Sequence, residues 1–214
     1  MFNKFKSLFG SKPPAARTLE HARDLQTGDM IQLDDSFSLP KDLRGVMFTV
    51  DGISTCEYEH SRQAVFTLQG ENGETRYLSI EKDSGTEQLA FSRPITREQV
   101  GQLFDLEQFA EVFGEGNGTR LQRQQAPADL AEWSDDAYVE EEDAEPAYLH
   151  ENSDYRQSAP PANSGESYQA YWLENDQGSH AIEIEVYESG ETDVSLVRLE
   201  PLHRIRELWP AGSK

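Results

Sequence analysis

A mainly β fold of the α+β kind is predicted here: a tandem repeat of an antiparallel β-meander, closed as a small barrel or a sandwich, each copy followed by a helix. Three observations predict it. Residues 64–94, AVFTLQGENGETRYLSIEKDSGTEQLAFSRP, read as three short strands joined by two tight turns. Residues 170–199, AYWLENDQGSHAIEIEVYESGETDVSLVRL, repeat that pattern at a shift of 105 positions. After the first copy the apolar spacing changes from every second residue to the spacing of a helix.

In the first copy Val65, Thr67, Tyr77, Ile80, Leu89 and Phe91 supply the β-branched, aromatic and aliphatic side chains that suit a pleated, half-buried surface. Phe66 and Leu68 alternate with Thr67 and Gln69, the pattern of a strand with one wet face. Gly70, Asn72 and Gly73, then Asp83, Ser84 and Gly85, mark the turns, because Gly and Asn accept the positive φ that tight hairpins require. At the fixed shift Phe66 falls on Tyr171, Leu68 on Leu173, Gly73 on Gly178 and Ser84-Gly85 on Ser189-Gly190. Leu89 then falls on Val194, Phe91 on Leu196 and Arg93 on Arg198. The agreement runs on through Val100 on Ile205, Leu103 on Leu208 and Phe104 on Trp209, and upstream through Leu25 on Leu130. Agreement beyond the strands points to an internal duplication.

The remaining elements follow in order. Residues 19–25 form a short helical lead-in, and Gly28-Asp29 turns the chain into a strand at 30–33. A strand at 46–50 is followed by Asp51-Gly52 as a hairpin turn and a return strand at 53–58. A helix is expected over 96–113, opened by Thr96 and Gln99 as a capping pair, stopped by Gly114, and breakable at Asp105. Its counterpart is expected over 201–209, with Pro201 in the first turn. The domains are then a basic N-terminal segment (1–17), a first meander-plus-helix domain (19–113), an acidic linker (114–166) and a second meander-plus-helix unit (167–210). The linker carries 12 acids between Glu115 and Asp154 against Arg120 and Arg123. It reads as solvated chain, although Trp133, Tyr138, Tyr148 and Tyr155 also suit degenerate first strands of the second unit.

Composition narrows the function classes. The net charge of −21 repels phosphate backbones, so no nucleic-acid partner is expected. The mean hydropathy of −0.73 is low for a chain packed throughout. Cys56 stands alone, which removes any intramolecular disulfide. No apolar run is long enough to cross a membrane, and no secretory h-region follows Lys4 and Lys6. Residues 1–17 carry four basic side chains and no acid. Phe2, Phe5, Leu8 and Phe9 recur at helical spacing there, with Lys4 and Lys6 between them. Such a helix of about nine residues is roughly 13 Å long, too short to span a bilayer but able to lie in its interface or in a partner's groove. The alternative is that it covers this protein's own sheet. Phe2, Lys4, Phe5, Lys6, Leu8 and Phe9 are the candidate docking residues.

Catalytic chemistry has little to stand on. In Cys56-Glu57-Tyr58-Glu59-His60, strand alternation puts Cys56, Tyr58 and His60 on one face. A Cys/His pair can serve a metal or a nucleophile. A metal needs three or four ligands, and His21, His150, His180 and His203 are scattered. A nucleophile needs an orienting third group and an oxyanion hole, and nothing marks either. A strand with a buried cysteine is the plainer reading. The glycines at 114, 116 and 118 lack the preceding strand of a phosphate-cradling loop. Arg93 and Arg198, at matching positions, suit either carboxylate recognition or structural pairing with acids of their own repeat.

Gly28-Asp29-Met30-Ile31, Phe66-Thr67-Leu68 with Gly73, Tyr77-Leu78-Ser79-Ile80-Glu81 and Leu89-Ala90-Phe91 together resemble a bacterial family catalogued as a domain of unknown function. Its members show a similar β-meander, often in two copies, and their genes tend to lie near phage-shock-like membrane-stress proteins and small membrane proteins. The resemblance covers about residues 25–94, with a second copy near 168–199 that lacks the Gly-Asp opening. It implies a membrane-stress or accessory setting and carries over no catalytic residue. The expected function is therefore a non-enzymatic interaction or adaptor protein without a cofactor, with a protein partner and a peripheral membrane contact through residues 1–17. The alternative is a small-ligand-binding β-barrel. The expected location is cytoplasmic, at the inner face of the membrane where the N-terminus docks. Homodimerisation through exposed strand edges also fits this pattern.

Overall fold

The described residues form twelve strands in the computed structural model, which describes residues 17–83, 85–114, 116, 118–140 and 144–212. In chain order they are β1 (Met30–Leu33), β2 (Met47–Glu57), β3 (Arg62–Gly70), β4 (Thr75–Asp83), β5 (Thr86–Ile95), β6 (Arg120–Gln122), β7 (Ala137–Glu140), β8 (Glu145–His150), β9 (Glu166–Glu174), β10 (His180–Tyr187), β11 (Thr192–Pro201) and β12 (Ile205–Trp209). The helices α1 (Arg97–Leu103) and α2 (Leu106–Ala110) lie between β5 and β6. Both predicted meanders are present, as β3-β4-β5 and β9-β10-β11, and they join side by side through the antiparallel pair β5–β11. Eight strands in the order β2-β3-β4-β5-β11-β10-β9-β8, with β8 returning to β2, close a ring that is antiparallel throughout. β2 is long because it serves two neighbours on one edge: Met47 to Thr49 pair with β1, and Thr55 to Glu57 pair with β8. The β1–β12 and β7–β6 pairs extend the sheet beyond the ring.

Three expectations change. Asp51-Gly52 does not reverse the chain: Val50 opposes Leu68 and Gly52 opposes Thr67, so Asp51 is the extra residue of a bulge inside one strand. A side chain at Gly52 would meet the Asn152 amide oxygen at 3.1 Å, which suits glycine at this bend. The helix expected at 201–209 is a 3-10 turn, Leu202–Arg204, followed by β12. There the open edge of β1 claims the backbone of residues 205–209, and strand pairing overrides helical spacing. The stretch 114–166, expected as a solvated linker or as degenerate first strands of the second unit, contributes β6, β7 and β8 and buries Leu121, Leu130, Trp133, Tyr138 and Ala147. The helical stretch at 96–113 takes the expected capping pair. The Gln99 amide N–H donates to Thr96 Oγ1 at 3.3 Å, and Thr96 N–H donates to Gln99 Oε1 at 2.9 Å. It breaks at Asp105, whose carboxylate caps α2 by accepting from the Glu107 and Gln108 amides.

Alternation gives every ring strand two faces. One carries Phe66, Leu68, Leu78, Leu89, Phe91, Leu173, Ile182, Ile184, Val194 and Leu196, all buried. The segments outside the ring pack on this face: Leu39 and Leu43, then Val100, Leu103 and Phe109 of the helices, then Leu130, Trp133 and Tyr138. Polar anchors fix these covers. Arg198, itself buried, donates to the Ser38 carbonyl at 3.1 Å, the Glu132 carbonyl at 3.2 Å and the Glu200 carboxylate at 2.7 Å. The Trp133 indole N–H donates to Asp42 Oδ1 at 2.9 Å, and Asp42 also pairs with Arg76. At the Gly28-Asp29 turn, Gly28 has φ +89°, and the buried Asp29 carboxylate accepts from the amides of Gln26 and Ala211, each at 2.7 Å.

Trp133 tests the role of the acidic stretch. Trp133→Ala is expected to cost about 3–5 kcal/mol in denaturant unfolding, because the ring is buried and its N–H is hydrogen-bonded. A tryptophan in solvated linker would cost close to nothing.

Candidate functional site: the barrel interior

The second face of the ring strands carries Cys56 and Tyr58 at the end of β2, Gln63 on β3, Ser79 and Glu81 on β4, and Ala90 and Ser92 on β5. Val197 on β11, Ala181, Glu183, Glu185 and Tyr187 on β10, Tyr168 and Trp172 on β9, and Ala147 on β8 complete it. This face points into the ring. Ser92 Oγ donates to Glu183 Oε2 at 3.4 Å across the whole width of β11, a reach that the concave side of a sheet provides. Cys56 on β2 feels the charges of Glu81 on β4 and of Glu183 and Glu185 on β10, strands on different sides of the ring. Among the described residues no cover segment packs there, yet Ala90, Ala181, Val197 and Tyr168 are buried, as enclosure by the ring accounts for.

Small side chains at Ala90, Ala181, Ala147, Ser79 and Ser92 leave room inside, which a filled barrel would not. The wall is also incomplete. β3 pairs with β4 only from Phe66–Leu78 to Gln69–Thr75, so residues 62–65 of β3 and 79–83 of β4 have no ladder between them. A cavity of about 660 Å³ runs through this split, lined by Gln63, Ala64 and Phe66 on one side, Ile80 and Glu81 on the other, and Tyr58, Trp172 and Glu183 within. Side chains bridge the split: Gln63 Nε2 donates to Glu81 Oε1 at 2.6 Å, and Ser79 Oγ donates to the same oxygen at 2.8 Å. The lining also includes Arg23, Arg62, Lys82 and Arg156; Arg156 lies 5.3 Å from the Phe66 ring centre, and Arg23 pairs with Glu87 at 3.1 Å.

Enclosure governs the proton affinities. Burial, then the neighbouring charges of Glu185 and Glu81, push Glu183 up to about 8, while Ser92 opposes the shift weakly. Protein surrounds its carboxyl on all sides, and the surface it retains faces the cavity. Burial also raises Glu185, against the hydrogen bond it accepts from Tyr187 Oη at 2.7 Å. Cys56 is pushed up to about 12, chiefly by burial, so its thiol stays protonated at neutral pH. Burial raises the Tyr58, Tyr168 and Tyr187 phenols as well. The Tyr168 hydroxyl is buried, with the Cys56 thiol and the Tyr58 hydroxyl as its hydrogen-bonding neighbours inside the ring.

The residues singled out from the sequence fare differently. Phe2, Lys4, Phe5, Lys6, Leu8 and Phe9 lie outside the described residues. Cys56 and Tyr58 share the interior, but His60 sits in the β2–β3 turn with its side chain 87% exposed, beside Glu59. The Cys56/His60 pair is therefore not assembled, and no cluster of three or more metal-ligating acids, histidines or cysteines occurs among the described residues. Arg93 pairs with Asp129 at 2.8 Å and Arg198 with Glu200 at 2.7 Å; both hold structure together, and Asp129 belongs to the stretch expected as a linker. Glu81, Glu183, Glu185, Tyr168 and Trp172 were invisible as a site, because carboxylates alternating with isoleucines in AIEIEVY have the pattern of a solvent-facing strand side. No family model, no curated protein and no solved structure matches the chain.

Glu183 gives a pH-dependent prediction. Its pKa is raised in the folded protein, so the stability it contributes is complete below pH 4.5 and is lost as pH rises through about 8. Glu183→Gln removes that loss. Thermal unfolding is expected to show the variant gaining at least about 1 kcal/mol on wild type at pH 8.5, and little at pH 4.5.

Proposed function

We propose that this protein is a small-ligand-binding β-barrel. The observation that carries the reading is the cavity of about 660 Å³, which enters the ring where β3 and β4 part and reaches Glu81, Glu183, Tyr58 and Trp172. Cavities of this size, with aromatic walls and a few convergent polar groups, suit small molecules. Tyr58 and Trp172 supply the aromatic walls, and Gln63, Glu81 and Glu183 supply the polar groups. Among the described residues of the interior, Cys56 stands beside tyrosines and acids and away from His60. The adaptor expectation rests on residues 1–17 and on net charge; the cavity is what favours ligand binding over it. Among the described residues no helix is long and apolar enough to cross a membrane.

The two meanders are read as an internal duplication. Ser92 pairs with Val197, the residue that the shift of 105 positions assigns to it, so β5 and β11 meet about a local two-fold. On this reading β12 takes the place of the second copy's helix, and the barrel forms from two half-rings.

Amide shift mapping with a fragment set of mixed charge tests the function. Fragments that bind are expected to move resonances of residues 58–66, 79–82, 170–172 and 183 and to leave α1 and β12 unmoved. A set that moves no residue of the cavity, or maps to the outer covers, overturns the reading.

A further inference from the structure

The charge of the interior narrows the ligand. Glu81, Glu183 and Glu185 stand together inside the ring, and none of them is in an ion pair among the described residues. Among the described residues Glu183 accepts just the long bond from Ser92, which leaves most of its acceptor capacity toward the cavity. The cations near the mouth are committed elsewhere. Arg62 donates to the backbone carbonyls of Tyr155 and Ser158, Arg156 to the Asp154 carboxylate, and Arg23 to Glu87. Lys82 also lines the cavity; it is exposed and, by the alternation of β4, extends from the face opposite Glu81.

A second observation is independent of the acids. Tyr58 and Trp172 add π-faces in the cavity wall, where a desolvated cation is attracted. An anion would meet the carboxyl groups of Glu81 and Glu183 in the cavity wall.

We propose that the barrel cavity takes a small organic ammonium ion, its charged nitrogen between Glu81 and Glu183 and its apolar body against Tyr58 and Trp172. This assignment rests on the ligand-binding reading and adds its chemical class. The arriving positive charge favours the ionised carboxylate, so a protonated Glu183 gives up one proton to solvent as the ammonium binds. No covalent bond forms or breaks. The groups facing Glu183 are Glu185 on its own strand, Glu81 on β4, Ser92 on β5, and Cys56 and Tyr58 at the end of β2; none brings a positive charge.

Isothermal titration of the full chain at pH 7 with phenethylamine, 2-phenylethanol and 3-phenylpropionate tests it. Phenethylamine is expected to bind at least about tenfold tighter than the alcohol, with a measured heat that changes between phosphate and Tris as a released proton requires. Glu183→Gln and Glu81→Gln are each expected to lose at least about tenfold for the amine and to keep the alcohol affinity. Circular dichroism and thermal midpoints confirm that both variants fold. If the alcohol or the carboxylate binds as tightly as the amine, the ammonium assignment falls while the barrel still binds ligands. If none of the three binds, the ammonium assignment falls, and the fragment map separately tells whether ligand binding falls with it.

Discussion

β8 contributes six residues, yet its pairing with β2 on one edge and β9 on the other closes the ring. Without it the remaining strands form an open sheet, and the face bearing Glu81, Glu183 and Glu185 is an ordinary wet surface. With it the same face is enclosed. A carboxylate in water needs no partner, but one held in a low-dielectric interior must be hydrogen-bonded, paired or protonated. The raised affinity of Glu183 for its proton, the Gln63 and Ser79 bonds to Glu81, and the Tyr187 bond to Glu185 all follow from that closure.

The outer face supplies the stability that permits a polar interior. Leucine, isoleucine and phenylalanine side chains there are buried under α1, α2 and the two covering loops. Each such side chain contributes about 1.5–3 kcal/mol of burial. The barrel is thus inverted relative to a filled one, with its apolar core between wall and covers. Structural arginines belong to the outer side as well: Arg76, Arg93 and Arg198 tie the covers to the sheet, which leaves the interior acids without cations. The part of the wall without a ladder, between residues 62–65 and 79–83, is bridged by side chains whose bonds exchange with water more readily than a ladder does.

Local features were legible in the sequence. The strands of both meanders follow from period-2 alternation, and Gly73, Gly178 and Gly190 take the positive φ that their turns required. Thr96 and Gln99 cap α1 as their spacing implied, and Asp105 breaks the helical stretch. Features set by distant partners were not legible. Residues 205–209 have helical spacing but pair with the open edge of β1. Trp133 and Tyr138 sit among acids, so their stretch read as linker or as degenerate strands, and composition did not show that their rings meet the outer core. The site was hidden for the same reason: alternation tells which residues share a face, and only closure tells whether that face is wet or enclosed. Cys56 and Tyr58 were placed on one face, but not the acids opposite them.

The most direct measurement is a ¹³C titration of the side-chain carboxyl resonances, with Glu183 assigned through Glu183→Gln. An enclosed Glu183 facing Glu81 and Glu185 titrates at about 8. A midpoint near the ordinary 4.5 of a solvated glutamate would place this face in water and contradict the closed, acid-lined interior.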